Sequence, residues 1–315
     1  MKALIAVSLL APLFLGPGDG GAGDNVRAEA GQNRRTAFVN LAGSSIRISG
    51  DGAGRGSGDG YRIPRPCWYE PGPDAETMYR QQHDNPENAR RTAIDEKSRT
   101  AFEKQFKDKL GQPGRWWTPA YNQADPNGAA CWGDLELFLF VPPATTPPGG
   151  ITIQQLAQIA RAALTAPEPT VKLNPDAKSY VNLATWVWLE GIGQPRRTVT
   201  AEIPGVMSVT LVATLQNVRI DPGTTPDRAE VTESGCGAAG RPYTKGGTFS
   251  CGVRYLRSSI DRPGEKYTLT VDTVWPVQVQ DNVVPFQFAP LQVGTSRDVP
   301  VGEIQSNVQP GEQGQ

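Results

Sequence analysis

From Thr170 onward the apolar residues of this chain fall on every second position, and that period limits what the segment can become. Residues 180–189 set Trp186 and Trp188 on one face and Val187 and Leu189 on the other. Val209, Leu211, Ala213 and Leu215 alternate with Ser208, Thr210 and Thr214, and Tyr267, Leu269 and Val271 alternate with Thr268, Thr270 and Asp272. A strand turns successive side chains to opposite faces, so each of these runs has one face to bury. Pro204-Gly205 predicts a hairpin between 198–203 and 207–215, and Asp221-Pro222-Gly223 predicts a turn after a strand at 218–220. Further strands are expected around Val253 and Tyr255, at 274–279 and at 286–293. Short strands at this spacing predict a β-sandwich over 170–295, with Trp186 and Trp188 in its core and a disordered tail at 296–315.

The chain opens with Lys2, an apolar run at 3–15 and a Gly-rich stretch, the layout of a secretory signal peptide. The run is roughly 13 residues, too short to span a hydrocarbon core, and Pro12 weakens it as a membrane helix. Ala22 and Ala30 are both acceptable cleavage positions, and an uncleaved anchor or a buried N-terminal helix is the competing reading. Export gives the four cysteines a meaning, because an even number in an oxidising compartment points to disulfides. Grouping by region favours Cys67–Cys131 and Cys236–Cys251 among the three pairings. Zinc is the weaker alternative, since no Cys-x-x-Cys exists and His83 is the only histidine.

Residues 23–66 are polar and Gly-rich and read as a flexible segment, apart from a short strand at 45–48. A small α+β region is expected over 67–150. Asn85-Pro86 would start a helix running to Leu110, with Ile94, Phe102, Phe106 and Leu110 as its apolar stripe and Asp95/Arg99 and Glu103/Lys107 as i,i+4 pairs. Trp116, Trp117 and Tyr121 fall in a Pro/Gly-rich loop, where they are candidates for an exposed binding surface, with lids on the core as the alternative. A strand is expected at 135–141. A connecting helix follows within 151–169: Thr152 and Gln155 form a capping box, Ile151 and Leu156 a staple, and Leu156, Ile159, Ala160, Ala163 and Leu164 the apolar face.

The stretches Cys251-Gly-Val-Arg-Tyr255 and Arg262-Pro-Gly-Glu-Lys-Tyr-Thr-Leu-Thr-Val271 are similar to the late hairpin of polycystic-kidney-disease-type (PKD-like) domains, and Val218-Arg-Ile-Asp-Pro-Gly223 sits where that family carries its Trp-x-x-Gly-Asp-Gly segment. Leu156-Ala157-Gln158-Ile159-Ala160, Asn174-Pro175 and Val181-Asn-Leu-Ala-Thr-Trp186-Val-Trp188 resemble a group of secreted actinobacterial proteins with a Cys-paired sheet. The resemblance covers roughly residues 130–280. It implies an extracytoplasmic location and a fold that is mainly β with two helices, an immunoglobulin/PKD-like β-sandwich preceded by the small α+β region. It implies no reaction.

The 31 basic and 32 acidic residues nearly cancel, which argues against a footprint for nucleic acid. No cofactor motif is complete: Gly52-x-Gly54-x-Gly56 lacks the dinucleotide pattern, and Lys245-Gly246-Gly247-Thr248 lacks the phosphate-loop spacing. His83, in a polar run, reads as a solvated loop residue. Asp125-Pro126-Asn127-Gly128 reads as a turn before a calcium loop. Asp134, Glu136, Glu190 and Glu202 are the carboxylates a hydrolase would have to use. The favoured expectation is a non-enzymatic envelope module that contacts another envelope protein or a cell-wall polymer. A carboxylate-dependent secreted hydrolase and an accessory subunit of an export or transfer machine are the alternatives.

Overall fold

The computed structural model describes residues 39–54, 56–85 and 96–304. The expected signal peptide lies outside them, as do the expected helix position Pro86, Ile94 and Asp95, and the last eleven positions of the expected tail. The fold is mainly β, built from several antiparallel sheets and few helices. Four α-helices occur among the described residues, where two are expected.

In the first sheet, β4 (Arg115–Asn122) pairs along one edge with β3 (Cys67–Asp74) and along the other with β1 (Leu41–Ala42) and β5 (Leu139–Val141). The expected loop around Trp116 is therefore a strand, and the strand expected at 135–141 keeps only its last three residues. Helix α1 (Ala75–His83) is not anticipated by the sequence reading. Its signal is Asp74, whose carboxylate accepts from the Thr77 N–H at 2.7 Å after the Pro71-Gly72-Pro73 bulge. Helix α2 is Glu96–Lys107, so Leu110 lies beyond it. Arg99 pairs with Glu103 at 3.1 Å. Helix α3 (Gly128–Gly133) packs on β3 and β4, where Cys131 bonds Cys67.

Helix α4 (Ile153–Ala163) is not a connector but the centre of the main core. Thr152 accepts from the Gln155 N–H at 3.2 Å, as the capping box requires. Leu156, Ile159, Ala160, Ala163 and Leu164 are all buried, and Ile151 joins them. Each large aliphatic side chain of that face contributes about 1.5–3 kcal/mol. They pack on the second sheet, ordered β15 (Val277–Val279), β10 (Met207–Thr214), β9 (Arg196–Ile203), β2 (Arg47–Ser49). The β9–β10 hairpin forms around Pro204-Gly205, as expected, with Met207 opposite Ile203 and Thr214 opposite Arg196. Yet these strands leave the expected 170–295 unit, because their apolar face covers α4 and the first sheet.

The rest of the C-terminal half places two sheets on one shared core. One is β11 (Asn217–Asp221), β14 (Tyr267–Trp275), β16 (Leu291–Val299); the other is β12 (Ala229–Thr232), β13 (Gly252–Tyr255), β8 (Ala184–Glu190), β6 (Thr170–Asn174). Val187 and Leu189 enter this core, so Trp186 and Trp188 occupy the opposite face of β8, a correction to their expected place. Trp186 is covered there by Tyr243 and Phe249, from the loop that the Cys236–Cys251 bond closes. Residues 296–302 are not a free tail. They complete β16 and form β17 (Val301–Gly302), parallel to β7 (Ser179–Tyr180).

The described part of the Gly-rich segment is docked as well. Gly50 has φ +112°, and a Cβ there would lie 2.3 Å from the Thr198 carbonyl oxygen; one on Gly56 would lie 2.3 Å from that of Ala166. These glycines serve close backbone approach to β9 and to the chain that follows α4. Asp51 fixes the segment by accepting from the Thr198 N–H at 2.7 Å and its hydroxyl at 2.8 Å.

These contacts set the pH range of the fold. Burial raises the Asp51 pKa, but the Thr198 hydrogen bonds and Arg197 outweigh it and bring it below the usual value. The Thr77 N–H lowers Asp74, and the Arg228 and Lys266 side chains lower Asp261 and Asp298. Burial raises Tyr61 and Tyr255. Depressed carboxylates contribute stability that is complete above their unfolded value and lost as pH falls through the folded one; raised tyrosines contribute stability complete below their unfolded value and lost as pH rises. The urea midpoint is therefore expected to fall below the ordinary aspartate value of 3.8 and above the ordinary tyrosine value of 10.0. Midpoints measured across pH check this, and a midpoint constant down to about pH 2 refutes the acid limb.

Candidate functional site

The residues expected to form an aromatic platform are not exposed together. Trp116 and Trp117 are adjacent on β4, so the pleat sends them to opposite faces. Trp116 is buried with Met78 and Phe106, and Trp117 is buried in the main core. Tyr121 is half-buried against Trp132 at 5.9 Å. The binding-surface expectation for these three falls on burial: helices cover one face of the sheet and α4 the other.

The four cysteines form Cys67–Cys131 and Cys236–Cys251. No group of three or more His, Cys, Asp or Glu that could hold a metal occurs among the described residues. His83 ends α1, stacked on Tyr79 at 5.4 Å with Glu103 at 3.6 Å. Asp125 accepts from the Asn127 N–H at 2.9 Å in a turn ahead of α3. Asp134 caps α3, Glu136 is exposed, and Glu190 pairs with Lys172 at 3.6 Å. Glu202 lies on β9, in a different sheet from Glu190.

Among the described residues two charged side chains, Glu70 and Arg161, are buried, and both are engaged. Glu70 is 2% exposed; it accepts from the Ser44 hydroxyl at 2.6 Å, the Ser45 N–H at 2.6 Å and hydroxyl at 2.8 Å, and the Trp68 indole at 2.8 Å. Arg161, 2% exposed, holds Asp59 with both guanidinium nitrogens and lies 5.1 Å over Tyr61. Both side chains tie the Gly-rich segment to the elements behind it, Glu70 from β3 and Arg161 from α4.

A groove of about 920 Å³ lies at the end of the second sheet. Its sheet wall carries Arg196, Val212, Thr214 and Gln278, which register places on the face opposite the core. Its other wall is the return from β15 to β16, with Phe286, Gln287 and Phe288. The phenyl rings meet edge to face at 5.2 Å, and Phe288 meets Tyr61 at 5.8 Å, so the lip is braced from the docked Gly-rich segment. Asp281 and Asn282 on the rim take positive φ, 59° and 50°, a conformation that costs non-glycine residues free energy. Arg196 and Asp281 are the lining's only charged residues, and the rest are amide, hydroxyl or apolar. Such a surface suits a neutral ligand rich in hydrogen-bonding groups.

The sequence reading takes 274–279 and 286–293 as plain strands and misses this groove. The available signal is proline: Pro276 interrupts the first run, and Pro285 and Pro290 bracket Phe286–Phe288. No helix among the described residues is long and apolar enough to cross a membrane. No family model, curated protein or solved structure matches this chain.

Proposed function

We propose that this protein is a non-enzymatic binding module working outside the cytoplasm, and that the groove beside β15 receives a segment of another envelope protein or a cell-wall polymer. The observation that carries this reading is the lining: paired aromatic rings on one wall and hydroxyl and amide groups on the other, with one charge of each sign. Two disulfides in a mainly β body suit an exported chain. An immunoglobulin-like reading of the C-terminal half is supported by its two sheets on one core, and by Tyr267, whose hydroxyl lies 3.1 Å from the Arg257 carbonyl and 3.0 Å from that of Ser258.

Gln278 and Gln287 are exposed groove residues whose replacement leaves the core intact. The double variant Gln278→Arg/Gln287→Arg is expected to lose at least about tenfold in affinity for whatever the wild type retains on peptide and glycan arrays, with an unchanged urea midpoint. Equal retention by wild type and variant removes the groove from the binding reading. Mass analysis of the secreted chain tests the compartment: an intact Met1 with four free thiols refutes it.

A further inference from the structure

We infer that Tyr61 is a positioning residue of the groove: the Asp59–Arg161 pair holds it on α4, and it fixes the lip that carries Phe286 and Phe288. This rests on the groove being the binding site. The two walls of the groove are held differently. The sheet wall stands in the β10–β15 ladder, from Ala213↔Val277 to Leu211↔Val279. The lip has no ladder. The β14–β16 pairing ends at Trp275↔Leu291, and residues 284–290 form no strand. They make no hydrogen bond among the described residues, through backbone or side chain. Pro285 and Pro290 have no N–H to give. Packing alone places the lip: Val284 is buried in the main core, and Phe286 and Phe288 are half-buried against it.

Phe288 finds its brace in Tyr61, edge to face at 5.8 Å. Tyr61 is itself fixed twice. Its N–H donates to Asp59 Oδ1 at 3.3 Å, the oxygen that also accepts from Arg161 Nη1 at 3.1 Å. The Arg161 guanidinium, bonded through Nη2 to the other Asp59 oxygen, lies 5.1 Å over the Tyr61 ring. One buried cation therefore governs both the backbone and the ring of Tyr61. The anchor is firm, because Arg161 projects from the helix at the centre of the main core. The segment is tied close by, where the Ser57 N–H donates to the Ala166 carbonyl at 2.9 Å and the Ala166 N–H donates back at 3.0 Å. Arg161, Asp59, Tyr61 and Phe288 form a continuous path from α4 to the lip. A wall ordered before a ligand arrives lowers the entropy that binding must remove.

Nitrogen-15 relaxation of the full chain, free of ligand, tests this. The backbone order parameters of Phe286, Gln287, Phe288 and Ala289 are expected to be about 0.85 in the wild type and below about 0.6 in Tyr61→Ala. Tyr61→Phe is expected to match the wild type, because the contact with Phe288 uses the ring alone. Arg161→Met/Asp59→Asn, which keeps the volume of the helix side chain, is expected to loosen the same four residues. Order parameters of about 0.85 along β9 and β10 in each variant show that the body is folded. Tyr61→Leu takes the place of Tyr61→Ala if the latter does not fold. A Tyr61 with a merely structural role would lower the urea midpoint and leave 286–289 rigid, and that result overturns the inference. So does a lip already below about 0.6 in the wild type, or one that stays rigid in the double variant. No ligand enters the measurement, so these outcomes leave the groove reading to the array comparison with Gln278→Arg/Gln287→Arg.

Discussion

Arg161→Ala is expected to lower the unfolding free energy by about 3–5 kcal/mol, the cost of breaking a buried ion pair from one side. Arg161 projects from α4 into the docked Gly-rich segment, with Nη1 and Nη2 at 3.1 and 2.5 Å from the two Asp59 carboxylate oxygens. Removing the guanidinium leaves the Asp59 carboxylate beside an apolar helix face and opens a cavity under Tyr61. The cost is asymmetric. Asp59 is 23% exposed, so it stays partly hydrated, whereas Asp59→Asn leaves a guanidinium that is 2% exposed with a weaker partner. Replacing both residues, Arg161→Met with Asp59→Asn, is expected to recover part of the loss, because the volume returns and the buried charges are gone. Urea unfolding of the three variants measures this. A loss under about 1 kcal/mol for Arg161→Ala would show that the segment is held by its backbone bonds alone.

Glu70→Gln changes one atom in shape and is expected to cost about 2–4 kcal/mol. The carboxylate takes four hydrogen bonds, two to each oxygen: Ser44 and Trp68 to Oε1, the Ser45 N–H and hydroxyl to Oε2. An amide cannot satisfy both sets. With its nitrogen at the Oε2 position it meets the Ser45 N–H; turned over, it meets the Trp68 indole N–H. Neither can accept. A hydroxyl can rotate to accept, so the serine side chains adapt and the two N–H donors do not. Trp68, fully buried, reports the change through its fluorescence. A Glu70→Gln variant as stable as the parent, by urea midpoint, would show that a water takes up the orphaned donor.

Both residues lie in or against residues 39–66, the part of the described chain whose sequence says least about structure. Its composition, rich in Gly and Ser and poor in apolar side chains, reads as a loop, and by local propensity that is correct. What holds it are partners remote in sequence: Glu70 on β3, Arg161 on α4, the Thr198 backbone on β9. None of these leaves a periodic trace. The same limit explains Trp116 and Trp117. Pro, Gly and adjacent aromatics look like a loop, and only pairing with Pro71 and Leu139 makes that stretch a central strand. Trp186 and Trp188 show the complementary ambiguity. Alternation identifies a strand with two faces but does not say which face meets the core, and the disulfide-closed loop over Trp186 settles it by supplying Tyr243 and Phe249.

What the chain's own order of residues determined is the local part: the capping box and apolar stripe of α4, the hairpin about Pro204-Gly205, the period of two along β10 and β14, and the pairing of cysteines by region. Each depends on neighbours within a turn or a hairpin, or on covalent chemistry. Tertiary structure alone decided which sheet each strand joined, that the β9–β10 hairpin would cover α4, and that the β14–β16 ladder would part at Pro276 and Pro290 to open a groove. Those outcomes follow from burying apolar faces presented by segments far apart in the chain, and that energy belongs to pairs of surfaces rather than to any one segment.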